Sequence, residues 1–270
     1  MMENRKKPFN KTAITNKLET SFIGRPFYFH SNIDSTNTAA YALAVKGAKQ
    51  GTAVVADSQA KGKGRLGRIW ESPKGVNIYT SIILRPDISP VTAPHLTLMS
   101  AVGVAETISR YSVKKPEVKW PNDILINSKK VCGILTEMNS DKNKINFIIL
   151  GIGVNLNMTK EMFPDELKPI ATSIKEETGK DISRIDFLNT LYLNIEKWYE
   201  AFLKNGFAPV CEAWKTYFNM AGKAVKIKDM DREIEGIALT IDDDGHLLVR
   251  EKSGKTVKIV SGDVVMKQLP

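Results

Sequence analysis

Cysteine is scarce in this chain, which has two, Cys132 and Cys211, among 270 residues. Each lies in an apolar stretch, no Cys-x-x-Cys pair occurs, and histidine is limited to three residues. That inventory excludes a disulfide framework and a structural zinc site, and fits a reducing compartment. Long apolar runs are also missing: no stretch reaches the length of a membrane span. The basic, polar start from Met1 to Lys11 is followed by no apolar segment of the secretory type, so no signal peptide is expected. No Gly-x-x-x-x-Gly-Lys-Ser/Thr loop, internal repeat or low-complexity segment occurs. A cytoplasmic protein is the expectation.

What is present is ordinary in bulk. Hydrophobic residues make up 42%, enough for a sizeable core, and charged residues 26%. The formal charge of +9 favours acidic partners such as nucleotides, acidic proteins or nucleic acid.

Residues 1–22 read as a polar tail or a short helix from Ile14 to Thr20. Phe27 to His30 predicts a strand, and Ser35 or Thr36 then caps a helix reaching Lys46 and stopped by Gly47. Capping alone would account for those two hydroxyls. Strands are expected at Thr52 to Ala56 and Asn77 to Leu84, and a helix from Pro94 to Tyr111. Val118 to Trp120, Ile124 to Ile126 and Val131 to Met138 read as short strands joined by tight turns. Ile145 to Leu150 is apolar throughout, as in a central strand. Residues 156–180 are irregular and charged, with a short helix near Ile174. Ser183 caps a helix to Lys204 whose stripe of Phe187, Leu191, Ile195, Trp198 and Phe202 reads as core, and a further helix covers Ala208 to Tyr217. After residue 220 the texture is β: Ala224 to Ile227, Ile234 to Ile241, His246 to Arg250 and Thr256 to Val260. The expectation is an α+β fold, a mixed, largely antiparallel sheet with helices on one face, followed by a small β-barrel. The corresponding domains are 1–22, 23–219 and 220–270.

The segment from Gln59 to Trp70 concentrates the chemistry. Its glycines permit close backbone approach, and Lys61, Lys63, Arg65 and Arg68 supply positive charge. Alone, it reads equally as an anion cradle or as a solvated basic loop. Gly62-Lys-Gly-Arg-Leu-Gly67 formally matches G-x-G-x-x-G, with Asp87 twenty residues on. A dinucleotide site needs a helix to begin at that loop, whereas Pro73 and Gly75 intervene and a strand follows. Lys119-Trp-Pro-Asn-Asp123 sets a cation, an amide and a carboxylate around a rigid turn, where the carboxylate could hold Mg²⁺ or simply cap the turn. Lys130 begins a strand, and Gly151 and Gly153 follow a buried one, implying close approach by a ligand or a neighbouring strand.

Together these stretches resemble the biotin protein ligases, whose loop pattern is G-R-G-R-x-G-R-x-W. Here Gly62 to Trp70 answers it, with D-S-T-N at Asp34 to Asn37, K-W-P-N-D at Lys119 to Asp123, K-x-x-G-I-L-x-E at Lys130 to Glu137, and G-x-G-x-N at Gly151 to Asn155. The resemblance implies the biotin/lipoate ligase core, related to class II synthetases, and an SH3-like C-terminal barrel. It implies activation of biotin by ATP to biotinyl-adenylate and transfer to a lysine of a biotin carboxyl carrier protein. Biotin and ATP with Mg²⁺ are then substrates, and no cofactor is permanently bound. Lys130 and Arg65 are the implied catalytic residues. Ser35, Thr36, Asn37, Gln59, Gly62, Lys63, Gly133 and Gly151, with Arg65 and Lys130, would bind biotin. Arg68, Trp70, Lys119, Asn122, Asp123 and Asn155, with Arg65, would bind ATP or the adenylate, Trp70 by stacking on adenine and Asp123 at the metal. Lys63 stands where arginine is usual, which keeps the charge and loses the bidentate fork.

Other readings are a lipoate or octanoate ligase, a biotin-responsive DNA-binding repressor, and a non-catalytic biotin-binding module. About 25 residues before the first motif are too few for a three-helix recognition domain, so specific DNA binding is not expected. Neither is membrane association. A homodimer through a sheet edge is a possibility of the family.

Overall fold

In a computed structural model describing residues 9–229 and 232–266, the larger sheet has seven strands. They are β1 (Phe27–His30), β2 (Ala53–Ala56), β3 (Ile78–Leu84), β4 (Glu117–Lys119), β5 (Asp123–Ile126), β6 (Lys129–Ser140) and β7 (Ile145–Val154). Their order is β1-β2-β3-β7-β6-β5-β4, with β1 and β2 parallel and every other pair antiparallel. The mixed, largely antiparallel sheet is thus as expected. β6 and β7 run well beyond the short segments read from the sequence, because they pair with each other from Cys132–Val154 to Ser140–Ile145.

The period-2 alternation of strands decides what each face carries. On one face Ile78, Ile82 and Leu84 of β3, with Ile148, Leu150, Ile152 and Val154 of β7, join the main core. That core is completed by α1 (Lys11–Lys17), α3 (Pro94–Ser109), α5 (Arg184–Asn205) and α6 (Ala208–Tyr217). The opposite face is covered only in part, by α2 (Thr36–Val45), whose Ala40 and Ala44 pack on Val54, Ile83, Phe147 and Ile149. Where α2 begins, this face carries Ser81, Gly151, Gly153, Gly133 and Leu135 instead, paired across the strands as Ser81–Gly151–Leu135 and Tyr79–Gly153–Gly133. Small residues at these positions leave a trough.

Helix α1 begins at Lys11 rather than near Ile14, because Asn10 caps it by accepting from the Ala13 N–H at 2.9 Å. The expected tail in residues 1–8 lies outside the described residues. The short helix near Ile174 is α4 (Ile174–Thr178), capped by Ser173. Among the described residues no helix is long and apolar enough to cross a membrane.

The C-terminal segment forms a five-stranded antiparallel sheet: β8 (Ala224–Asp229), β9 (Arg232–Ile241), β10 (Leu247–Glu251), β11 (Thr256–Ile259) and β12 (Asp263–Met266), ordered β11-β10-β9-β8-β12. β12 was not visible in the sequence, since its Asp-Val-Val-Met is too short to alternate convincingly. The β9–β10 turn seats this sheet on the larger unit. Trp120 Nε1 donates to Gly245 O at 3.0 Å, and His95, stacked on Phe207 at 3.9 Å, contacts Asp244 O at 2.9 Å. Gly245 occupies the left-handed region (φ 80°) hard against Leu98 and Phe207, a place no side chain fits.

Asp242 organises the same turn, accepting from the backbone N–H groups of Asp244 (3.0 Å) and His246 (2.9 Å) and pairing with Lys258 at 2.6 Å. Burial pushes its carboxyl up, but Lys258 and the His246 bonds outweigh that and hold it at about 2 against an ordinary 3.8. A depressed carboxyl stabilises the fold above its ordinary value and loses that contribution as pH falls through the folded one. Acid unfolding should therefore carry a component between about pH 4 and pH 2, which Asp242→Asn removes; identical acid transitions in the two proteins would contradict it.

Candidate active site

The trough opens into a cavity of about 810 Å³, walled by the N-terminus of α2, the Gln59–Trp70 loop, the glycine strip of β6 and β7, the Lys119–Asp123 turn, residues 163–171 and β12. Its size suits a small organic molecule joined to a nucleotide.

One end is polar and buried. Ser35 precedes α2 but its side chain makes no capping bond, and the first turn is capped by Gln59, whose Oε1 accepts from the Thr36 N–H at 2.8 Å and from Thr36 Oγ1 at 3.1 Å. Gln59 Nε2 in turn donates to Ser72 Oγ at 2.9 Å. Asn37 Oδ1 accepts from Ser81 Oγ at 2.6 Å, and its Nδ2 donates to Glu137 Oε2 at 2.7 Å. Gly151 serves this network in an unexpected way: a Cβ there would lie 2.1 Å from Asn37 Oδ1. What stands against Gly151 is thus Asn37 rather than a neighbouring strand. Hydroxyls and amides at the head of an incompletely capped helix suit a neutral polar group with both donors and acceptors.

The loop is a small self-paired hairpin. Trp70 N–H donates to Gly62 O at 2.9 Å and Gly64 N–H to Arg68 O at 2.7 Å, around one 3₁₀ turn, Arg65–Gly67. Gly67 (φ 73°) reverses the chain, and Leu66 shares the left-handed region at φ 56°. No α-helix starts here and β3 follows, so the dinucleotide reading fails on structure as on sequence. Leu66 and Ile69 project outward, 73% and 75% exposed. Gly62, expected among the binding residues, does not line the main cavity. A Cβ on it would meet Trp70 O at 2.3 Å, so it is required for closing the hairpin.

Trp70 lies over the glycine strip, where a Cβ on Gly153 would stand 2.5 Å from Nε1 and one on Gly133 3.0 Å from Cζ3. Its Nε1 is buried without a hydrogen-bond partner among the described residues, and Lys130 Nζ sits 5.4 Å from the ring centre.

The other end concentrates charge. Lys130 Nζ pairs with Asp123 Oδ1 at 2.6 Å, and Lys119 Nζ stands 4.0 Å from Asp123 Oδ2. Arg65 donates to Asn122 Oδ1 (2.9 Å) and to Gly262 O (3.0 Å), while Asn122 Nδ2 donates to Ile134 O at 2.8 Å. Arg68 pairs with Asp263. Burial lowers the Lys119 ammonium, Asp123 opposing and Lys130 adding to the shift; burial likewise lowers Arg65 against the pull of Asp263 and Asp123. Burial raises Asp263, but Arg68 and the charges of Lys119 and Arg65 hold it below the usual carboxylate range. Partly desolvated cations in a cleft act strongly on phosphate charge, because little water screens them. Asn155 lines the cavity too, but its Nδ2 is engaged by Thr172 O at 3.1 Å and so ties down the adjoining loop.

Every other residue expected to act in catalysis or to bind biotin or the adenylate lines this one cavity. Three contributors were missed. Ser81 was legible only as an alternate position on a strand, Glu137 only as the last residue of a motif with no task attached, and Asp263 comes from a strand of the second sheet. The apolar wall of Phe163, Leu167 and Ile170 lies in a stretch without periodicity.

With this geometry in place, comparisons with known proteins converge. Residues 29–155 match the Biotin/lipoate A/B protein ligase family, and residues 221–267 match the Biotin protein ligase C terminal domain. The Bifunctional ligase/repressor BirA of Bacillus subtilis is 40% identical over 261 residues, covering 96% of this chain and 80% of its own length. The Biotin--[acetyl-CoA-carboxylase] ligase of Paracoccus denitrificans is 32% identical over 229 residues, covering 83% and 94%. The biotin protein ligase from Aquifex aeolicus, solved in complex with biotin and ATP, superposes with a TM-score of 0.77 at 30% identity, covering 89% of this chain and 98% of that one. On these grounds the chain belongs to the biotin protein ligases of the biotin/lipoate A/B protein ligase family.

Proposed function

We infer that the chain is an ATP-dependent ligase that activates biotin as biotinyl-5′-AMP and transfers it to a lysine of a biotin carboxyl carrier protein. The observation that carries this reading is the union, in one cavity, of a buried neutral polar end and a partly desolvated cationic end. Neutral donors and acceptors at Ser35, Thr36 and Gln59 suit the ureido ring, and cations suit a carboxylate meeting a phosphate.

In the first step a biotin carboxylate oxygen attacks the α-phosphorus of ATP, a P–O bond forms, and the bond to pyrophosphate breaks with its electron pair. Lys130 and Arg65 hold the carboxylate and α-phosphoryl oxygens together and neutralise charge as it moves outward; Arg68 and Lys119 serve the phosphates. Asp123 keeps Lys130 in place and is the carboxylate beside which the magnesium carried by ATP would sit, Oδ1 being taken by Lys130 and Oδ2 being the freer oxygen. Trp70, presenting its face over Gly133 and Gly153, would stack the adenine. In the second step the unprotonated carrier amine attacks the acyl carbon, and AMP leaves. A mixed anhydride hydrolyses in water, so the loop hairpin would close over it. Residues 23–219 would form the catalytic unit and 220–270 a second unit, with the family matches over 29–155 and 221–267 in support.

ATP–pyrophosphate exchange tests the acyl specificity. Biotin should drive exchange, with lipoate and octanoate near background. Exchange driven by lipoate or octanoate but not biotin would replace this reading with that of a lipoate-type ligase.

A further inference from the structure

Glu137, on β6 two residues beyond Leu135, divides its carboxylate between two partners. Oε2 accepts from Asn37 Nδ2 at 2.7 Å, and Oε1 faces Lys63 Nζ at 3.6 Å. Asn37 belongs to the pocket floor, where Ser81 fixes its other end and Gly151 makes room for it. Lys63 belongs to the loop hairpin, bridged to Ile69. An outward swing of the hairpin must therefore part Lys63 from Glu137.

Among the described residues, the side chains from Lys63 to Arg68 tie this hairpin to the rest of the chain at three places: Lys63 to Glu137, Arg65 to Asn122 and Gly262, and Arg68 to Asp263. Apart from Trp70 on the glycine strip, the loop gains little from apolar packing, since Leu66 and Ile69 point outward and a second cavity of about 640 Å³ lies between it and Leu135 and Glu137. Two of the three ties use guanidinium groups that phosphate would compete for. The Lys63–Glu137 tie uses no guanidinium group.

We propose that Glu137 is a positioning residue that couples the loop to the pocket floor, orienting the Asn37 amide with one oxygen and holding the loop shut through Lys63 with the other. The proposal rests on the ligase reading and assigns part of the retention of the adenylate to a pair between the loop and β6. It also gives Lys63 a side-chain task that its single ammonium meets through one oxygen.

The test uses the full chain loaded with biotin and MgATP and follows first-order loss of bound biotinyl-adenylate during an unlabelled chase. Glu137→Gln keeps a carbonyl for Asn37 and removes the charge that Lys63 needs; Lys63→Ala, at a half-exposed position, removes the other partner without endangering the fold. Each should speed loss by roughly two- to fivefold at low salt, the range of a partly exposed ion pair. The double variant should lose adenylate no faster than either single one. The difference from wild type should disappear near about 1 M salt, where the Debye length is about 3 Å. Lys63→Arg should restore slow loss. Glu137→Ala should in addition raise the KM for biotin, because Asn37 loses its nearer acceptor and keeps only Leu135 O at 3.4 Å. Wild-type release rates in Glu137→Gln and Lys63→Ala, or additive effects in the double variant, would overturn the coupling. Failure of the wild-type chain to form any adenylate would instead sink the ligase reading beneath it.

Discussion

Replacing Lys130 with alanine is expected to lower biotin-dependent ATP–pyrophosphate exchange by roughly 10²- to 10³-fold, the range for removing one preorganised charge from a transition state. Lys130 stands where the two ends of the cavity meet: its ammonium is 2.6 Å from Asp123 Oδ1 and 5.4 Å from the Trp70 ring centre, beside the bare backbone of Gly133. On the ligase reading it bridges, with Arg65, a carboxylate on the Thr36 side and a phosphate on the Arg65 side. The fold has little to lose, because the Lys130 side chain is one-third exposed and Asp123 keeps Lys119 nearby. The expected change in stability is within about 1 kcal/mol. Arg65→Ala should reduce exchange comparably, with a somewhat larger loss of stability, since it also abandons Asn122 and the link to Gly262. Thermal unfolding alongside exchange kinetics separates the two effects. Near-normal exchange in both variants would show that the chemistry lies elsewhere.

The second large effect concerns two glycines that neighbour each other on one face of β7. Gly151→Ala would place a methyl group 2.1 Å from Asn37 Oδ1, so the amide must leave Ser81 and Glu137. Unpairing a buried amide costs about 1–3 kcal/mol, and overpacking a similar amount. Biotin binding should weaken by at least about tenfold, as one lost hydrogen-bonding arrangement is worth about 1.4 kcal/mol or more. Gly153→Ala would instead drive its methyl group into the Trp70 indole, 2.5 Å from Nε1. Its signature should be a raised KM for ATP with biotin binding kept, because only the stacking face moves. Titration of each variant with biotin and with ATP checks the division. Identical losses for both ligands in both variants would mean that the strip acts as one structural unit.

The contrast between these glycines marks what the sequence could and could not convey. Gly151 and Gly153 stood out as places of close approach, yet what approaches them is set by a helix and a loop far away in the chain. Local signals were read well where the cause is local: Ser183 caps its helix, Gly47 follows the end of α2, and the apolar run from Ile145 becomes a central strand, whereas the Asn10 cap went unread. The order of motifs placed nearly all of the site. Pairing across the sheet was not legible, so Ser81 remained an ordinary strand residue and Glu137 a motif letter without a task until register set them beside Gly151 and Asn37. Asp263 was hidden twice over, in a strand too short to alternate and in a sheet whose seating depends on Trp120 and Gly245. Gly62 shows the converse: a motif glycine that serves the hairpin's own closure and stands outside the main cavity.

Transfer of biotin to the lysine of an isolated biotin carboxyl carrier domain tests the account most directly. With biotin, ATP and magnesium all present, the full chain should add biotin to that lysine in one-to-one stoichiometry, releasing AMP and pyrophosphate. Omitting ATP or magnesium should abolish the product, and preformed biotinyl-5′-AMP should restore it without either. Transfer that persists without ATP and adenylate, or adenylate formed and held but never passed to any carrier lysine, would contradict it.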